Sequence, residues 1–320
     1  MQISKTRTTG LLVAMFALVA GPVASVSAHE IWVTNIKSGD VTVIDVSSLK
    51  VKATIKTGKG AHNVTITPDG KQAFVANVGE ATVSIIDTRK KKVVGTVAAG
   101  KKTHDVSVSP DQKLAVAANV GTDTVTLIDV AKKQPLATLK TADGAIMSLF
   151  SPNGRLLYVA NARAGNISVI DLKSRKVTKT LPGGKGMMAL APTPGGKRAW
   201  LTAPGSNQLI LLDLIKAENV AVVDVAGQPH GLALSPDGKK AYLVQRKLNQ
   251  ISIIDTASRK IIKSAKVGKR PDMLAISPDG KTLYVTSRDE DKLLVVSTAN
   301  LKVKAEVATG KEPHGVAYRK

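Results

Sequence analysis

The chain has 320 residues, five histidines, no cysteine and a formal net charge of +22 at pH 7. The lack of cysteine excludes disulfides, thiolate metal sites and covalently attached c-type haem. So large a positive charge favours anionic ligands or surfaces as partners, and it carries little information about the fold.

The first predicted element is a cleaved secretory signal peptide over residues 1–28. Lys5 and Arg7 precede an apolar run at 11–20, and Val26-Ser27-Ala28 is typical of a cleavage site. The apolar run is short for a membrane span. We therefore predict export to the periplasm and a mature chain without a transmembrane anchor.

The rest of the chain is a strict repeat. One position recurs every 42 residues, and it is occupied by His62, His104, Ile146, Met188, His230, Asp272 and His314. A fixed period of this size indicates one supersecondary unit used seven times. We predict a single all-β domain over residues 29–320, a seven-bladed β-propeller of four-stranded blades.

The unit itself has four short alternating segments. In the second unit they cover 104–109, 114–118, 125–129 and 135–139, with Pro110-Asp111-Gln112 as the first turn. The last unit contains one strand only, at 314–318, and the segment 31–55 supplies the other three strands of its blade. The seventh blade is therefore predicted to combine both ends of the domain, which covers the strand edges that an open array would expose.

Two further repeat positions are predicted to serve the scaffold. The first is predicted to pack between blades, and it is occupied by Trp32, Phe74, Val116, Tyr158, Trp200, Tyr242 and Tyr284. The second is predicted to cap turns by accepting backbone N–H groups, and it is occupied by Asp45, Asp87, Asp129, Asp171, Asp213 and Asp255, with Ser297 as the exception.

The segments Tyr158-Val159-Ala160-Asn161, Phe74-Val75-Ala76-Asn77 and Trp32-Val33-Thr34-Asn35 closely resemble the YVTN β-propeller repeat. The resemblance covers the mature chain, although Ala203, Gln245 and Ser287 replace the expected asparagine. It implies an exported propeller. Members of the family include periplasmic binding proteins and relatives of the haem-binding propeller of cytochrome-type nitrite reductases.

The 42-residue position places histidines around the channel mouth. His62, His104, His230 and His314, with Met188 or Asp272, are candidate ligands for copper or haem, because imidazole with thioether suits copper and imidazole with carboxylate suits zinc or iron. The alternatives are acid–base chemistry and histidines that only bond the channel lining. Pro-His-Gly at this position is itself a common form of the YVTN repeat.

A second set of residues lies three positions earlier in the repeat and predicts an anion-binding site at the channel mouth. It comprises Lys59, Lys101, Lys185, Lys269 and Lys311, thickened by Lys102 and Arg270. An anion would relieve the mutual repulsion of these charges. Phe150 and Tyr318 are the aromatic residues left for base stacking, so nucleic-acid binding would be electrostatic and weakly specific.

These observations predict a monomeric, non-enzymatic periplasmic binding or scaffold protein whose partner is an anionic ligand or an acidic protein. The alternative is a metal- or haem-binding propeller used in redox chemistry or cofactor handling. A lactonase function receives little support, because Asp272 and Asp105 are the acidic groups expected near the channel ring.

Overall fold

The computed structural model describes residues 29–320, which form 28 strands and two short 3-10 turns, Arg246–Leu248 and Arg288–Glu290. The predicted signal peptide lies outside these residues. Within residues 29–320, no helix is long and apolar enough to cross a membrane.

The strands follow one another in chain order with short turns between them. The first half comprises β1 (Glu30–Asn35), β2 (Asp40–Asp45), β3 (Val51–Lys56), β4 (Ala61–Ile66), β5 (Gln72–Asn77), β6 (Thr82–Asp87), β7 (Lys92–Ala98), β8 (Thr103–Val108), β9 (Leu114–Asn119), β10 (Thr124–Asp129), β11 (Gln134–Lys140), β12 (Ala145–Phe150), β13 (Leu156–Asn161) and β14 (Asn166–Asp171). The second half comprises β15 (Lys176–Pro182), β16 (Leu190–Pro192), β17 (Arg198–Ala203), β18 (Gln208–Asp213), β19 (Glu218–Asp224), β20 (Pro229–Leu234), β21 (Lys240–Gln245), β22 (Gln250–Asp255), β23 (Lys260–Lys266), β24 (Pro271–Ile276), β25 (Thr282–Ser287), β26 (Lys292–Ser297), β27 (Val303–Ala308) and β28 (Pro313–Arg319).

These strands form seven four-stranded antiparallel sheets, which confirms the predicted propeller. Blade 1 is β4–β7, blades 2 to 6 follow in groups of four, and blade 7 has the order β28-β1-β2-β3. Strand β28 pairs with β1, with Tyr318 opposite Ile31. The predicted closure of the ring by both ends of the domain is confirmed.

A buried carboxylate supports this closure. Glu30 is 1% exposed and accepts a hydrogen bond from Trp32 Nε1 at 3.2 Å. Its carboxylate also lies 3.2 Å from Arg319 Nη1 and 2.8 Å from Lys91 Nζ. Because these partners lie on β1, on β28 and in blade 1, one side chain connects both ends of the domain to the neighbouring blade.

The core is divided into apolar clusters between adjacent blades, as the aromatic repeat position predicts. Trp32, Phe74 and Tyr158 have no exposed surface, and Trp200 is 1% exposed. Tyr158 also donates its hydroxyl to the Leu214 carbonyl at 2.6 Å, which connects blade 3 to blade 4. The predicted packing role is confirmed.

The aspartates that follow the third strands cap their turns, which confirms the second scaffold prediction. Asp45 accepts hydrogen bonds from the backbone N–H groups of Ser47 and Ser48 at 3.1 and 2.9 Å. The side-chain hydroxyl of Ser47 contributes most to lowering the pKa of Asp45. Each such carboxylate is therefore largely occupied by its own turn.

Blade 4 differs from the expected strand pattern at its inner edge. Its inner strand, β16, covers only Leu190–Pro192, so Met188 precedes the strand and does not lie within it. Gly183, Gly184 and Gly186 precede this segment, and Pro192 has no N–H to donate. Met188 instead packs against the apolar cluster between blades 3 and 4.

Two glycines allow the inner strands to approach closely. A Cβ atom at Gly315 would lie 2.8 Å from the His62 carbonyl oxygen, and one at Gly231 would lie 2.5 Å from the Asp272 carbonyl oxygen. Both obstacles are backbone atoms of the next blade, which cannot rotate away. Glycine is therefore required where these inner strands meet.

We expect Gly315→Ala to lower the free energy of unfolding by about 2 kcal/mol, because the inner strands of blades 7 and 1 must separate. Urea denaturation measures the change. Gly95→Ala is the matched control, since its Cβ would meet only the flexible end of Lys133 at 3.0 Å. A Gly315→Ala protein as stable as the control would contradict the requirement for close approach.

Candidate functional site

The site lies where the inner strands begin, at one end of the central channel. Most inner strands carry a register shift at the 42-residue position, between Ala61 and Val64 in β4 and between Pro271 and Leu274 in β24. A bulge redirects a side chain out of the regular alternation. This local geometry brings residues from blades 5, 6, 7, 1 and 2 to one arc.

Three of the imidazoles bond the backbone of the following blade. His314 Nδ1 lies 3.1 Å from the His62 carbonyl oxygen, and His62 Nδ1 lies 3.1 Å from the His104 carbonyl oxygen. His230 Nδ1 lies 3.2 Å from the Asp272 carbonyl oxygen. A carbonyl can only accept, so each Nδ1 carries the proton and each neutral ring presents Nε2 as an acceptor.

Threonines of the second strands hold several of these carbonyls in place. Thr202 Oγ1 donates to the His230 carbonyl at 2.8 Å, and Thr286 Oγ1 donates to the His314 carbonyl at 2.8 Å. Thr34 does the same for His62. The backbone of the arc is therefore fixed by side chains of the preceding blade.

Burial keeps the imidazoles neutral. It lowers the pKa of His104 and of His230 to about 3 and that of His314 to about 4, and it holds the pKa of His62 well below its usual value. In each case loss of hydration outweighs the other effects. At neutral pH the four imidazoles of the arc are thus uncharged hydrogen-bonding groups.

Asp272 is the carboxylate of this arc and has no exposed surface. Its Oδ1 atom accepts from Arg246 Nη2 and lies 3.1 Å from His230 Nδ1. Its Oδ2 atom lies 3.5 Å from Arg288 Nη1 and 3.8 Å from His314 Nε2. Burial would raise the pKa of Asp272, but the facing His314, His230 and Arg246 groups outweigh it and hold that pKa well below its usual range.

Arg246 and Arg288 belong to the site but are not among the residues predicted from the sequence. Each is the first residue after a second strand, 42 residues apart, at a position that Val78 and Val120 occupy in blades 1 and 2. Arg288 also bonds Glu312 through Nη2 at 2.8 Å. A comparison of this turn position across the repeats would have shown two adjacent cations beside Asp272.

The predicted metal ligands are only partly brought together. His230, Asp272 and His314 place ligand atoms within 4.8 Å of one another, whereas Met188 packs against the apolar cluster between blades 3 and 4. The rings of His62 and His104 have centroids 3.9 Å apart and are tilted by 48°. Because Arg246 bonds Asp272 and the Arg288 guanidinium lies 3.5 Å from it, a divalent cation would add its charge to theirs, so this donor set fits a cation poorly. Copper or haem at the histidines stays a prediction.

The predicted lysine rim surrounds the same end of the channel, and all seven of its residues are exposed. Lys311 pairs with Asp291 at 2.8 Å, and Arg270 pairs with Asp289 at 3.4 Å. Within residues 29–320, the side-chain ammonium groups of five rim residues have no acidic oxygen within 4.0 Å, namely those of Lys59, Lys101, Lys102, Lys185 and Lys269. The backbone N–H of Lys269 donates to Glu290 Oε2 at 2.9 Å. The rim therefore keeps an excess of positive charge.

A second buried acid lies beside the arc. Asp105 accepts from Asn63 Nδ2 at 3.3 Å and from the Ser148 backbone N–H at 3.4 Å. Burial raises its pKa to about 6. Unlike Asp272, it has no cationic side chain within 4.0 Å in the described part of the chain.

The fold and the site together define a seven-bladed β-propeller with a polar, cation-rimmed channel mouth. The sequence model described as "Lactonase, 7-bladed beta-propeller" matches residues 82–317, and that described as "YNCE-like beta-propeller" matches residues 6–121. The chain belongs to the lactonase family of seven-bladed β-propellers. A search of curated proteins finds no match to its sequence.

Solved structures share this fold at low sequence identity. Hydrazine synthase of Kuenenia stuttgartiensis is 21% identical, with a TM-score of 0.77 over 85% of this chain and 92% of that one. The periplasmic gluconolactonase PpgL of Pseudomonas aeruginosa is 19% identical, with a TM-score of 0.77 over 92% and 99%. Dihydro-heme d1 dehydrogenase NirN, in complex with DHE, is 19% identical, with a TM-score of 0.67 over 90% and 74%. At these identities the likeness concerns the fold alone.

Proposed function

We propose that this protein is a periplasmic binding protein that takes an anionic ligand at the histidine end of its channel. The observation that carries the proposal is the rim of five lysines whose ammonium groups have no acidic partner among residues 29–320. Like charges held around one opening attract an anion and lose repulsion when it binds. The predicted signal peptide supports export to the periplasm, where the structurally similar PpgL is found.

The hydrogen-bonding groups at the bottom of the channel mouth restrict the chemical class of ligand that can bind there. The Nε2 atoms of His62, His230 and His314 are hydrogen-bond acceptors. They have no protein partner in the described part of the chain and are not fully buried, so they keep contact with solvent. Asp272 lies beneath these rings with no exposed surface, and its Oδ2 atom has no hydrogen-bond partner in the described part of the chain. A ligand seated here must donate hydrogen bonds to these imidazoles and present negative charge to the rim, which describes an anion that also carries hydroxyl groups.

Calorimetric titration with gluconate 6-phosphate at low salt tests this proposal. We expect Lys59→Gln/Lys101→Gln/Lys185→Gln to weaken binding about tenfold, with a smaller difference at high salt because exposed charges are screened. Lys50→Gln/Lys239→Gln/Lys302→Gln removes the same charge from the opposite face and should change the affinity less than twofold. Equal weakening by both variants would show a bulk charge effect and contradict a site at the rim.

A second candidate function is lactone hydrolysis, favoured by the family match over residues 82–317. His314 presents an unprotonated Nε2 that could accept a proton from water, beside Asp272 at 3.8 Å. Its pKa of about 4 makes it a weak base at neutral pH, which is why binding ranks first. A pH-stat assay of glucono-δ-lactone decides: hydrolysis above the spontaneous rate that His314→Gln abolishes would establish the enzyme.

A further inference from the structure

The two ends of the propeller differ in how their charges are used. The turns between third and fourth strands lie at the end opposite the histidines, and their aspartates are occupied by backbone N–H groups, as at Asp87 and Asp171. The basic residues of the same turns extend outward. Seven of those in blades 1 to 3 form what we call the basic arc: Arg89, Lys92, Lys132, Lys133, Lys173, Arg175 and Lys176. Lys90 and Lys91 of the same turns are not included, because they pair with Asp87 and Glu30.

The side chains of the basic arc lack acidic partners, and one of them bridges two blades. Lys133, in the turn of blade 2, lies against Gly95 of the outer strand of blade 1, with its Cδ atom 3.0 Å from the position of a Cβ there. No side-chain nitrogen of the basic arc has an acidic oxygen within 4.0 Å in the described part of the chain, whereas those of Lys52 of blade 7 and Lys216 of blade 4 both do. The corresponding turns of blades 4 to 7 carry fewer basic residues, namely Lys50, Lys216, Arg259, Lys260 and Lys302, so positive charge at this end is densest on blades 1 to 3.

Exposed aliphatic side chains lie beside these cations. Leu136 is 46% exposed, Val177 is 43% exposed, and Val93 and Val94 are 37% and 38% exposed. Each begins or closely follows the start of an outer strand, directly after the basic turn. The outer strands of blades 1 to 3 thus combine cations with apolar groups on one rigid edge.

We propose that the basic arc docks this protein on a bilayer containing anionic phospholipids. Each Lys or Arg held near such a surface is worth about a factor of five in binding, and aliphatic side chains beside the cations suit the boundary between headgroups and acyl chains. The basic arc has no aromatic side chain on which a base could stack, which disfavours single-stranded nucleic acid as the partner. Docking at this end leaves the histidine end of the channel open to ligands.

Sedimentation with vesicles of phosphatidylcholine alone and with phosphatidylglycerol added tests the proposal. We expect binding only to the anionic vesicles, weakened about 100-fold by Arg89→Glu/Lys132→Glu/Lys173→Glu. Lys50→Glu/Lys239→Glu/Lys302→Glu makes the same charge change on the same end of blades 7, 5 and 6, and should weaken binding less than tenfold. Equal losses in the two variants would overturn the proposal.

A second measurement separates a bilayer from a free polyanion. Leu136→Ser/Val177→Ser should weaken binding to anionic vesicles several-fold and leave binding to dextran sulfate unchanged, because only the bilayer has an apolar layer to contact. Both side chains are exposed, so these changes preserve the core. Binding to dextran sulfate without binding to anionic vesicles would refute membrane docking. It would identify a soluble polyanion as the partner.

Discussion

Acidification from about pH 6.5 to about pH 4.5 should lower the free energy of unfolding by roughly 4 kcal/mol per pH unit near the middle of this range. His104, His230 and His314 have pKa values of about 3, 3 and 4 in the folded chain, and that of His62 is also well below 6.5. In the unfolded chain all four regain the usual value and take up protons. The unfolded state is therefore favoured as the pH falls through 6.5.

Asp105 works in the opposite direction. Its pKa is about 6 when folded and 3.8 as a free group, so between these values the folded chain holds the extra proton. This offsets one of the four histidines and leaves a net difference of about three protons, each worth about 1.4 kcal/mol per pH unit. Below about pH 4 the capping aspartates add to the loss, because the pKa values of Asp87 and Asp171 are lowered in the fold.

Urea denaturation at several pH values checks this prediction, with matched variants at two histidines. His104→Met should reduce the slope near pH 5 by about one proton, since Met188 occupies the same repeat position and His104 Nδ1 has no partner to lose. His29→Gln should leave the slope unchanged, since His29 is exposed. A wild-type protein equally stable at pH 7 and pH 5 would show that the imidazoles are charged in the fold.

Asp272→Asn should lower the free energy of unfolding by about 3 kcal/mol at pH 7, because it leaves Arg246 and Arg288 without their buried counter-charge. The side chains of these arginines are only 19% and 16% exposed, so water replaces little of the lost interaction. Asp289→Asn is the matched control. Its ion pair with Arg270 is about half exposed on both sides and should contribute under 1 kcal/mol.

A compensated variant separates the loss of charge pairing from a general packing defect. Asp272→Asn/Arg246→Val/Arg288→Val removes both cations and introduces the residue found at this position in blades 1 and 2. It should recover at least half of the lost stability, because breaking a buried ion pair costs more than removing all its members. A compensated variant less stable than Asp272→Asn alone would contradict this account.

The repeat made the scaffold predictable, because a fixed 42-residue period assigns the same strand and turn to each equivalent residue. The closure of blade 7, the packing of Trp32 and the capping by Asp45 all followed from position in the repeat. The short length of strand β16 did not follow from the repeat, because proline and glycine residues in this one repeat prevent the longer inner strand that the other six repeats form.

The contacts of the site were less predictable because they depend on departures from the repeat. Arg246 and Arg288 reach Asp272 from turns whose residues vary between blades, and close approach at Gly231 allows His230 to bond the next carbonyl. The rim lysines were found by position. The extent of their charge excess was not, since Asp289, in the 3-10 turn of blade 6, and Asp291, directly after that turn, pair with Arg270 and Lys311.

The imidazole-to-carbonyl bonds all run in one sense around the channel. His314 donates toward His62, His62 toward His104, and His230 toward Asp272, each time to the next blade around the ring. The mouth therefore has a handedness of its own, imposed by chain direction. A chiral ligand and its mirror image meet the same groups in opposite order there, so an achiral probe can report affinity but never the stereochemical preference of this site.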